Sequence, residues 1–320
     1  MVHHFNYLLL IPLMVAAAAA AGDEFMNENS QLFPSAATTA IHLPSDPVPP
    51  SCPALNPNLN YRPVIGILSH PGDGASGRLS NDTNASYIAA SYVKFVESAG
   101  ARVIPLIYNE PPQLLEKKLN LVNGVLFTGG WAKTGLYFST VQTVFKKVLE
   151  KNDAGDHFPV IAICLGFELL TMIISQNQSI LEQFSAADQA ATLQFIANTN
   201  LNGTVFQRFP PDLLQKLSTD CIVMQNHHVY VSTVMGQHYP VTGFQWHPGK
   251  NAFEWGLSTI PHSEDAVRVT QHVANFFVSE ARKSSNRPPA REVLDNLIYN
   301  YTPTYGGKAG RGYDEVYIFT

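Results

Sequence analysis

The chain has little charge, little cysteine and no basic cluster. Only 14% of its 320 residues are charged, against about 25% in a typical soluble domain. Its 20 basic and 25 acidic residues give a net charge of −5, and no run of five Lys or Arg occurs. The composition therefore excludes a charge-rich coiled coil, and nothing in it favours a nucleic-acid partner or an anionic membrane surface. With 45% hydrophobic residues, a fully disordered chain is excluded as well.

Three cysteines are too few for a disulfide scaffold in a chain of this length. None belongs to a Cys-x-x-Cys pair, so no structural zinc site is expected. Cys52 and Cys221 are candidates for a disulfide, but their positions in the sequence do not fix that pairing. The odd number leaves at least one thiol free or available to another chain.

The N-terminus is typical of a secretory signal peptide. The stretch from Leu8 to Ala21 is uninterrupted and apolar, and the small residues that end it are followed by Asp23. This stretch is shorter than the roughly 20 apolar residues that span a bilayer. We predict that residues 1–22 are a signal peptide and that no membrane segment follows their removal. An uncleaved N-terminal anchor is the alternative, since no Lys or Arg precedes the apolar run.

If the chain enters the secretory pathway, each Asn-x-Ser/Thr triplet is a candidate glycosylation site. These triplets begin at Asn81, Asn84, Asn177, Asn202 and Asn300.

The remaining chain divides into a leader and a folded domain. Residues 23–60 are rich in Pro, Ser, Asn and Ala, which favours an extended leader. From residue 61 short apolar runs alternate with segments of helical spacing, which predicts an α/β fold with a mostly parallel central sheet and helices on both faces. The predicted strands cover residues 64–68, 103–107, 124–127, 159–163, 230–234, 241–245 and 316–319. The predicted helices cover residues 86–99, 114–119, 138–149, 167–175, 266–283 and 294–298.

Cys164 follows one of these strands and directly precedes a helix. The segment Ile163-Cys164-Leu165-Gly166 therefore resembles a nucleophile elbow with Cys in the Ser position. A thiol at a helix N-terminus faces partial positive charge, which favours the thiolate. The alternative is a buried thiol of the core, the commonest state of free Cys.

Two further features lie at predicted strand ends. Gly129 and Gly130 follow the strand at 124–127, where exposed N–H groups would suit an oxyanion, although a tight turn explains two glycines equally well. His247 follows the strand at 241–245 and is a candidate base. The chain has 11 histidines, and the residue pattern alone does not decide between His247 and others such as His227, His228 and His70.

Four motifs occur in order and together resemble the γ-glutamyl hydrolases, the folate polyglutamate peptidases of peptidase family C26. They are Gly66-Ile-Leu-Ser-His-Pro-Gly-Asp73, Phe127-Thr-Gly-Gly-Trp131, Ile163-Cys-Leu-Gly-Phe-Glu168 and Phe244-Gln-Trp-His-Pro248. The family belongs to the class I glutamine amidotransferase-like superfamily, whose fold is a flavodoxin-like sandwich. The similarity runs from about residue 61 to residue 320 and is greatest to plant members.

The resemblance implies a thiol hydrolase that cleaves the γ-glutamyl bonds of folate polyglutamates without a metal or other cofactor. Cys164 matches the nucleophile and His247 the catalytic histidine. Gly130 and Leu165 match the oxyanion donors. Glu168 and His227 match positions associated with the substrate site. Apart from the resemblance, Arg78, Lys133 and Lys250 are candidate cations for the substrate carboxylates, although a solvated surface charge is the commoner role of such side chains. Family members reach the vacuole or the extracellular space, and homodimers are common among them.

Two departures from the family pattern bear on activity. Position 249 is Gly, where the superfamily usually has a Glu that orients the histidine. The stretch after His228 is also short by several tens of residues, since Val229 joins it directly to the segment 230–233.

These departures support a second hypothesis, a catalytically impaired homologue that acts as a binding protein. A glutaminase subunit that supplies ammonia to a synthase is a third hypothesis. The predicted signal peptide opposes it, because such synthases are normally intracellular.

Overall fold

The computed structural model describes residues 10–13, 52, 54–196, 199–229, 233–307 and 312–320. The contacts divide the chain into two units, one of residues 1–18 with 58–320 and one of residues 19–57. In the second unit Cys52 and residues 54–57 are exposed and lie outside helices and strands. The folded domain thus begins slightly before residue 61, because Asn60 is buried and its N–H donates to the Arg282 carbonyl at 2.6 Å. Most of the predicted signal peptide and leader lies outside the described residues.

The strands of the first unit are β1 (Leu10–Leu13), β2 (Val64–Leu68), β3 (His70–Pro71), β4 (Ser86–Ala89), β5 (Arg102–Leu106), β6 (Val125–Phe127), β7 (Val160–Ile163), β8 (Gln183–Ala191), β9 (Val223–Val229), β10 (Thr233–Gly236), β11 (Val241–Phe244), β12 (Thr304–Tyr305) and β13 (Glu315–Phe319). The helices are α1 (Ala90–Ser98), α2 (Pro112–Leu119), α3 (Gly135–Asp153), α4 (Leu165–Ser175), α5 (Pro211–Thr219), α6 (Lys250–Phe253), α7 (Glu264–Ala281) and α8 (Ala290–Asn296). Single turns of 3₁₀ helix occur at Val205–Arg208 and Ile298–Asn300.

The central sheet has the strand order β1-β10-β11-β7-β6-β2-β5. The five strands from β11 to β5 are parallel, whereas β10 and β1 add antiparallel at one edge. We number the five parallel strands 1 to 5 in chain order, as β2, β5, β6, β7 and β11. Read from the β5 edge, their order in the sheet is then 2-1-3-4-5, which is the order of flavodoxin-like folds. The predicted α/β architecture is therefore confirmed. In such sheets the ligand site lies at the carboxyl ends of the strands, where the strand order reverses.

Both faces of the parallel sheet are buried, as the near-continuous apolar strands predict. Alternate residues point to opposite faces: Ile65 and Ile67 pack with α1 and α7 in one core cluster, whereas Val64 and Leu68 pack with α3 and α4 in the other. No helix among the described residues has the length and apolarity that crossing a bilayer requires.

A smaller sheet stands beside the central one, with the order β12-β13-β4-β3. Two expectations are wrong here. The predicted helix at 86–99 begins only at Ala90, because Ser86–Ala89 pairs as a strand with β3 and β13. The strand predicted at 316–319, which the sequence suggested as a late edge strand, lies inside this second sheet, since it pairs on both sides. Short apolar runs do not by themselves distinguish a strand from the first turn of a helix.

A third, two-stranded sheet joins β8 to β9, and the sequence patterns predicted neither strand. The predicted strand at 230–234 is observed as β10, which begins at Thr233 after the undescribed residues 230–232. Most other predicted elements are present with ends shifted by a few residues. For example, α7 begins at Glu264, because the Ser263 hydroxyl caps it by accepting from the Ala266 N–H at 3.2 Å.

The close approach of α4 to β6 requires glycine at position 166. A Cβ on Gly166 would lie 2.6 Å from the Phe127 carbonyl oxygen and 2.7 Å from its Cβ. We therefore expect Gly166→Ala to lower the free energy of unfolding by about 1–3 kcal/mol through overpacking, measured by urea denaturation. Gly256→Ala is the control, because its nearest neighbour would be 3.4 Å away. Equal effects of the two substitutions would contradict this account of the packing.

Candidate active site

The chemistry-bearing residues that the sequence singled out converge at one edge of the central sheet. His70 follows β2, Gly130 follows β6, Cys164 follows β7 and His247 follows β11. Because these strands are parallel neighbours, their carboxyl ends lie side by side. The topology thus brings together residues that are up to 177 positions apart in the sequence.

Cys164 has the strained backbone of a nucleophile elbow. Its φ of 53° and ψ of −112° are rare for a residue with a side chain. Its N–H donates to the Phe244 carbonyl at 2.7 Å and its carbonyl accepts from the Glu168 N–H at 3.0 Å. These bonds to β11 and to the first turn of α4 hold the strained turn in place. The sharp strand–turn–helix that the sequence predicted is confirmed.

The Cys164 thiol, however, is buried and protonated. Its residue is only 7% exposed, and Sγ lies 3.7 Å from the Asn226 carbonyl oxygen. Burial, together with the nearby Glu168 carboxylate, raises the pKa of the thiol to about 12. Lys250, the Leu165 N–H and Lys133 act in the opposite direction without reversing the shift. The N–H at the helix N-terminus does favour the thiolate, as expected, but desolvation outweighs this effect and the thiol rests protonated.

His247 lies in the same pocket as Cys164. A Cβ built on Gly129 would be 3.1 Å from His247 Cε1 and 3.4 Å from Cys164 Cβ, so both side chains border one small space. Burial lowers the pKa of His247 well below its usual value, and the Lys250 charge adds to that shift. The backbone of Asn226 opposes it, although neither ring nitrogen has a hydrogen-bond partner of good geometry among the described residues. At neutral pH the pair is therefore an uncharged thiol beside an uncharged imidazole.

The turn at residues 129–132 is held by two side chains that the sequence did not assign to it. Tyr92 Oη accepts the Gly129 N–H at 2.9 Å. The ring of His70 accepts two N–H groups at Nε2, from Trp131 and Ala132, each at 3.1 Å. His70 Nδ1 lies 2.8 Å from the Pro71 carbonyl and must carry the proton of the neutral ring. The sequence held one indication of this role, since His70 follows β2, the strand that pairs with β6.

Gly130 is the residue of this turn whose N–H stays available. Its neighbours on both sides donate to Tyr92 and His70, and no partner for the Gly130 N–H is found within the described part of the chain. A Cβ at this position would overlap the His70 ring at 2.3 Å, so only glycine fits. The Leu165 N–H points towards the Cys164 sulfur. The two predicted oxyanion donors thus belong to the turn after β6 and to the first residue of α4, which directly follows the nucleophile.

Glu168 is buried one helical turn beyond Cys164, and both of its oxygens are bound. Oε1 accepts from Gln245 Nε2 at 2.9 Å, and Oε2 lies 2.7 Å from Lys133 Nζ. His227 is buried in β9, where its Nε2 lies 2.6 Å from Gln225 Oε1. Burial lowers the pKa of His247, and the charge of His227 makes a smaller contribution in the same direction.

Arg78 extends from a loop that Asp73 organises. The Asp73 carboxylate accepts N–H groups from four residues, Ala75, Gly77, Leu79 and Ser80, at 2.7–3.1 Å. Burial raises the pKa of Asp73, but these four bonds outweigh that effect and lower it to about 2. Arg78 itself is exposed, and its predicted role in substrate binding stays a prediction.

The remaining thiols and acidic groups add nothing to the site. Cys52 and Cys221 are both exposed, and the disulfide considered between them stays a prediction. Within the described ranges no group of three His, Cys, Asp or Glu side chains has the arrangement of a metal site.

Comparison with known protein sequences identifies the family of this chain. The chain matches the Peptidase C26 family over residues 63–235. It is 65% identical over 301 residues to Gamma-glutamyl hydrolase 2 of Arabidopsis thaliana, and the alignment covers 85% of this chain and 87% of that protein. It is 60% identical over 333 residues to Gamma-glutamyl hydrolase 1 of the same plant, covering 93% and 96%. A solved glutamine amidotransferase from Thermotoga maritima aligns with 59% of this chain and 77% of its own, at 15% identity and a TM-score of 0.33.

The alignment to the second Arabidopsis protein also indicates that this chain lacks residues which that relative has. The match of 333 positions to the second Arabidopsis protein exceeds the 320 residues of this chain. Since 93% of 320 is about 298 residues, about 35 aligned positions have no residue here. That size agrees with the several tens of residues expected to be absent after His228.

Acid is expected to destabilise the fold through His70. Burial lowers its pKa from 6.5 to about 4, against a smaller opposing effect of the Pro71 carbonyl. Between these values the unfolded chain binds the extra proton, so stability is full above pH 6.5 and is lost as the pH falls towards 4. For this group alone the loss by pH 4 is about 3 kcal/mol.

The measurement is urea unfolding near neutral pH and at about pH 4. His70→Gln removes the titrating group but keeps an acceptor for the two N–H groups. The variant should lose about 3 kcal/mol less than the unmodified protein between these conditions. His247 titrates in the same direction in both proteins and cancels in the difference. Equal losses would show that His70 is not the group that titrates.

Proposed function

The chain belongs to the peptidase C26 family, and on that premise we propose that it is a thiol hydrolase that cleaves the γ-glutamyl bonds of folate polyglutamates. The relatives with 60–65% identity are named γ-glutamyl hydrolases. The observation that carries the proposal is the strained Cys164 turn, with His247 beside it and backbone N–H groups on either side.

The chemistry begins from the uncharged pair. The Cys164 thiol passes its proton to His247 as the sulfur attacks the γ-carbonyl carbon of the substrate. The N–H groups of Gly130 and Leu165 stabilise the oxyanion of the tetrahedral intermediate. His247 then protonates the departing amine, which leaves an acyl thioester at Cys164. Water, deprotonated by His247, hydrolyses this thioester and restores the thiol.

Burial of Cys164 and His247 determines when their charged forms appear in this mechanism. In a site of low dielectric, the thiolate and imidazolium form only when the substrate oxyanion and the donors are aligned. The Lys250 ammonium beside Cys164 favours the thiolate form of the sulfur. The sulfur must also turn away from the Asn226 carbonyl to reach the substrate.

A secretory location accompanies this proposal, with the vacuole or the extracellular space as the destination. It is supported by the apolar stretch at residues 8–21 and by the exposure of all five glycosylation triplets at their Asn residue. A homodimer is the proposed assembly, on the family resemblance alone.

A second function is favoured by specific observations, namely a catalytically impaired protein that binds the same substrates. Gly249 stands where the superfamily usually has the orienting Glu, and the ring nitrogens of His247 lack well-aligned partners among the described residues. The gap of about 35 positions points the same way. Loss of the orienting carboxylate in a serine protease triad costs on the order of 10⁴ in rate.

Incubation of the purified protein with pteroylpentaglutamate, with products resolved by chain length, tests the main proposal. We expect shorter pteroylglutamates to accumulate, and their lengths will distinguish terminal from internal cleavage. Cys164→Ala should abolish the reaction, because no other group replaces the nucleophile. Cys221→Ala, at an exposed free thiol, is the matched control and should react normally. Turnover by Cys164→Ala would exclude Cys164 as the nucleophile, and release of ammonia from free glutamine without polyglutamate cleavage would favour a glutaminase.

Restoring the carboxylate should raise activity. A Cβ on Gly249 would lie 3.5 Å from Phe95, an ordinary contact, so a side chain fits there. We expect Gly249→Glu to raise kcat at least about tenfold by orienting His247 and stabilising its charged form. Gly249→Gln, of nearly equal size but uncharged, should gain much less. If the two variants have equal activity, the missing charge does not limit the reaction.

A further inference from the structure

Lys133 and Glu168 form an ion pair that links the surface to the site. Glu168 is anchored inside the protein, with its side chain only 6% exposed and Oε1 bound by Gln245. Its Oε2 lies 2.7 Å from Lys133 Nζ, whereas the Lys133 side chain is 42% exposed. A mobile lysine side chain is thereby fixed in one direction by a buried carboxylate.

The fixed ammonium retains unused donor capacity. A lysine ammonium has three N–H donors, and one of them serves the bond to Glu168. The remaining two are on a half-exposed group and can bind an anion without breaking the ion pair. Charge-assisted bonds of this kind are among the stronger interactions available to a protein.

Lys133 holds these free N–H donors close to the loop of Gly130 and to the helix turn that follows Cys164. Lys133 lies three residues after Gly130, on the loop that carries one oxyanion donor. Its partner Glu168 lies in the first turn of α4, bonded through its N–H to the Cys164 carbonyl. The Lys133 charge is near enough to favour the thiolate of Cys164.

The proposed substrate requires such a cation. In a γ-linked glutamate chain each residue keeps its α-carboxylate, so the scissile bond has a carboxylate on the residue to either side. The other cations of the region are less suited. Lys250 is half-buried and interacts electrostatically with Cys164 and Glu254. Arg78 projects from the loop that Asp73 organises.

We propose that Lys133 is a specificity-determining residue that binds an α-carboxylate of the γ-linked glutamate chain, with Glu168 as the positioning residue of its ammonium. This inference rests on the proposed function, since it names what the same site recognises in its substrate.

Equilibrium binding tests the inference without turnover. In a Cys164→Ala background, the Kd of pteroyl-γ-glutamyl-γ-glutamate is measured by fluorescence titration or calorimetry. Adding Lys133→Met should weaken binding about 10- to 100-fold, and Lys133→Arg should retain binding within about fivefold. Lys147→Met is the matched control and should bind normally, because Lys147 is 41% exposed and paired with Glu116 at 3.2 Å on a surface helix.

Substrate analogues identify the carboxylate. Two probes carry an α-carboxamide in place of the α-carboxylate, one on the inner glutamate and one on the outer glutamate. With Lys133 present, the probe that lacks the recognised carboxylate should bind about 10- to 100-fold more weakly than the parent compound. In the Lys133→Met variant, that probe and the parent should bind within about twofold of each other. This coupling between side chain and ligand is not expected from a lysine with a structural role only.

The outcomes separate this inference from the proposed function. If Lys133→Met weakens the parent and both carboxamides equally, or weakens none of them, the assignment to Lys133 is overturned. If coupling to one carboxylate is observed but the unmodified chain cleaves no polyglutamate, the binding assignment stands and the hydrolase proposal fails. If the chain cleaves polyglutamate but shows no coupling, the hydrolase stands and the Lys133 assignment fails. Absence of measurable binding of the parent compound to the Cys164→Ala protein would contradict the Lys133 assignment.

Discussion

The left-handed turn at Cys164 is the constraint on which the candidate site depends. A φ of 53° is costly for cysteine, and it persists because both sides of the turn are bound. The Cys164 N–H is held by β11, its carbonyl by the first turn of α4, and the Gly166 N–H by the Thr128 carbonyl. The missing side chain of Gly166 lets α4 approach β6 closely enough for this last bond. Through these contacts the backbone that presents the sulfur is tied directly to the strands that present the other groups.

The carboxyl ends of neighbouring parallel strands then supply the other groups. The loop after β6 brings Gly129 close to the side chains of Cys164 and His247, which follow β7 and β11. Side chains from neighbouring elements fix the β6 loop: Tyr92 of α1 takes one N–H, and His70 after β2 takes two. His70 therefore acts as a neutral acceptor inside the fold, and its burial keeps it neutral well below pH 6.5.

Burial also decides the protonation states at the centre of the site. Desolvation raises the pKa of Cys164 and lowers that of His247, so each group rests in its uncharged form. In the proposed mechanism, the charged pair forms only when a substrate supplies a developing oxyanion and the surrounding donors meet it. Charged groups at the edge of the site, Lys133 and Lys250 among them, bias that equilibrium towards the thiolate. A chain with Gly at position 249 lacks a carboxylate that would otherwise stabilise the imidazolium.

The sequence by itself determined the α/β class, the alternation of buried strands and helices, the turn at Cys164 and the strand-end positions of Gly130 and His247. These follow from local periodicity, from glycine placement and from ordered motifs, all of which are written in neighbouring residues. Only the tertiary structure decided that Ser86–Ala89 is a strand, that β8 pairs with β9, that His70 and Tyr92 hold the turn at residues 129–132, and that Lys133 is anchored by Glu168. It also decided that the thiol rests protonated. The physical reason is that strand pairing, long-range hydrogen bonds and desolvation depend on which distant residues become neighbours, and no local pattern contains that information.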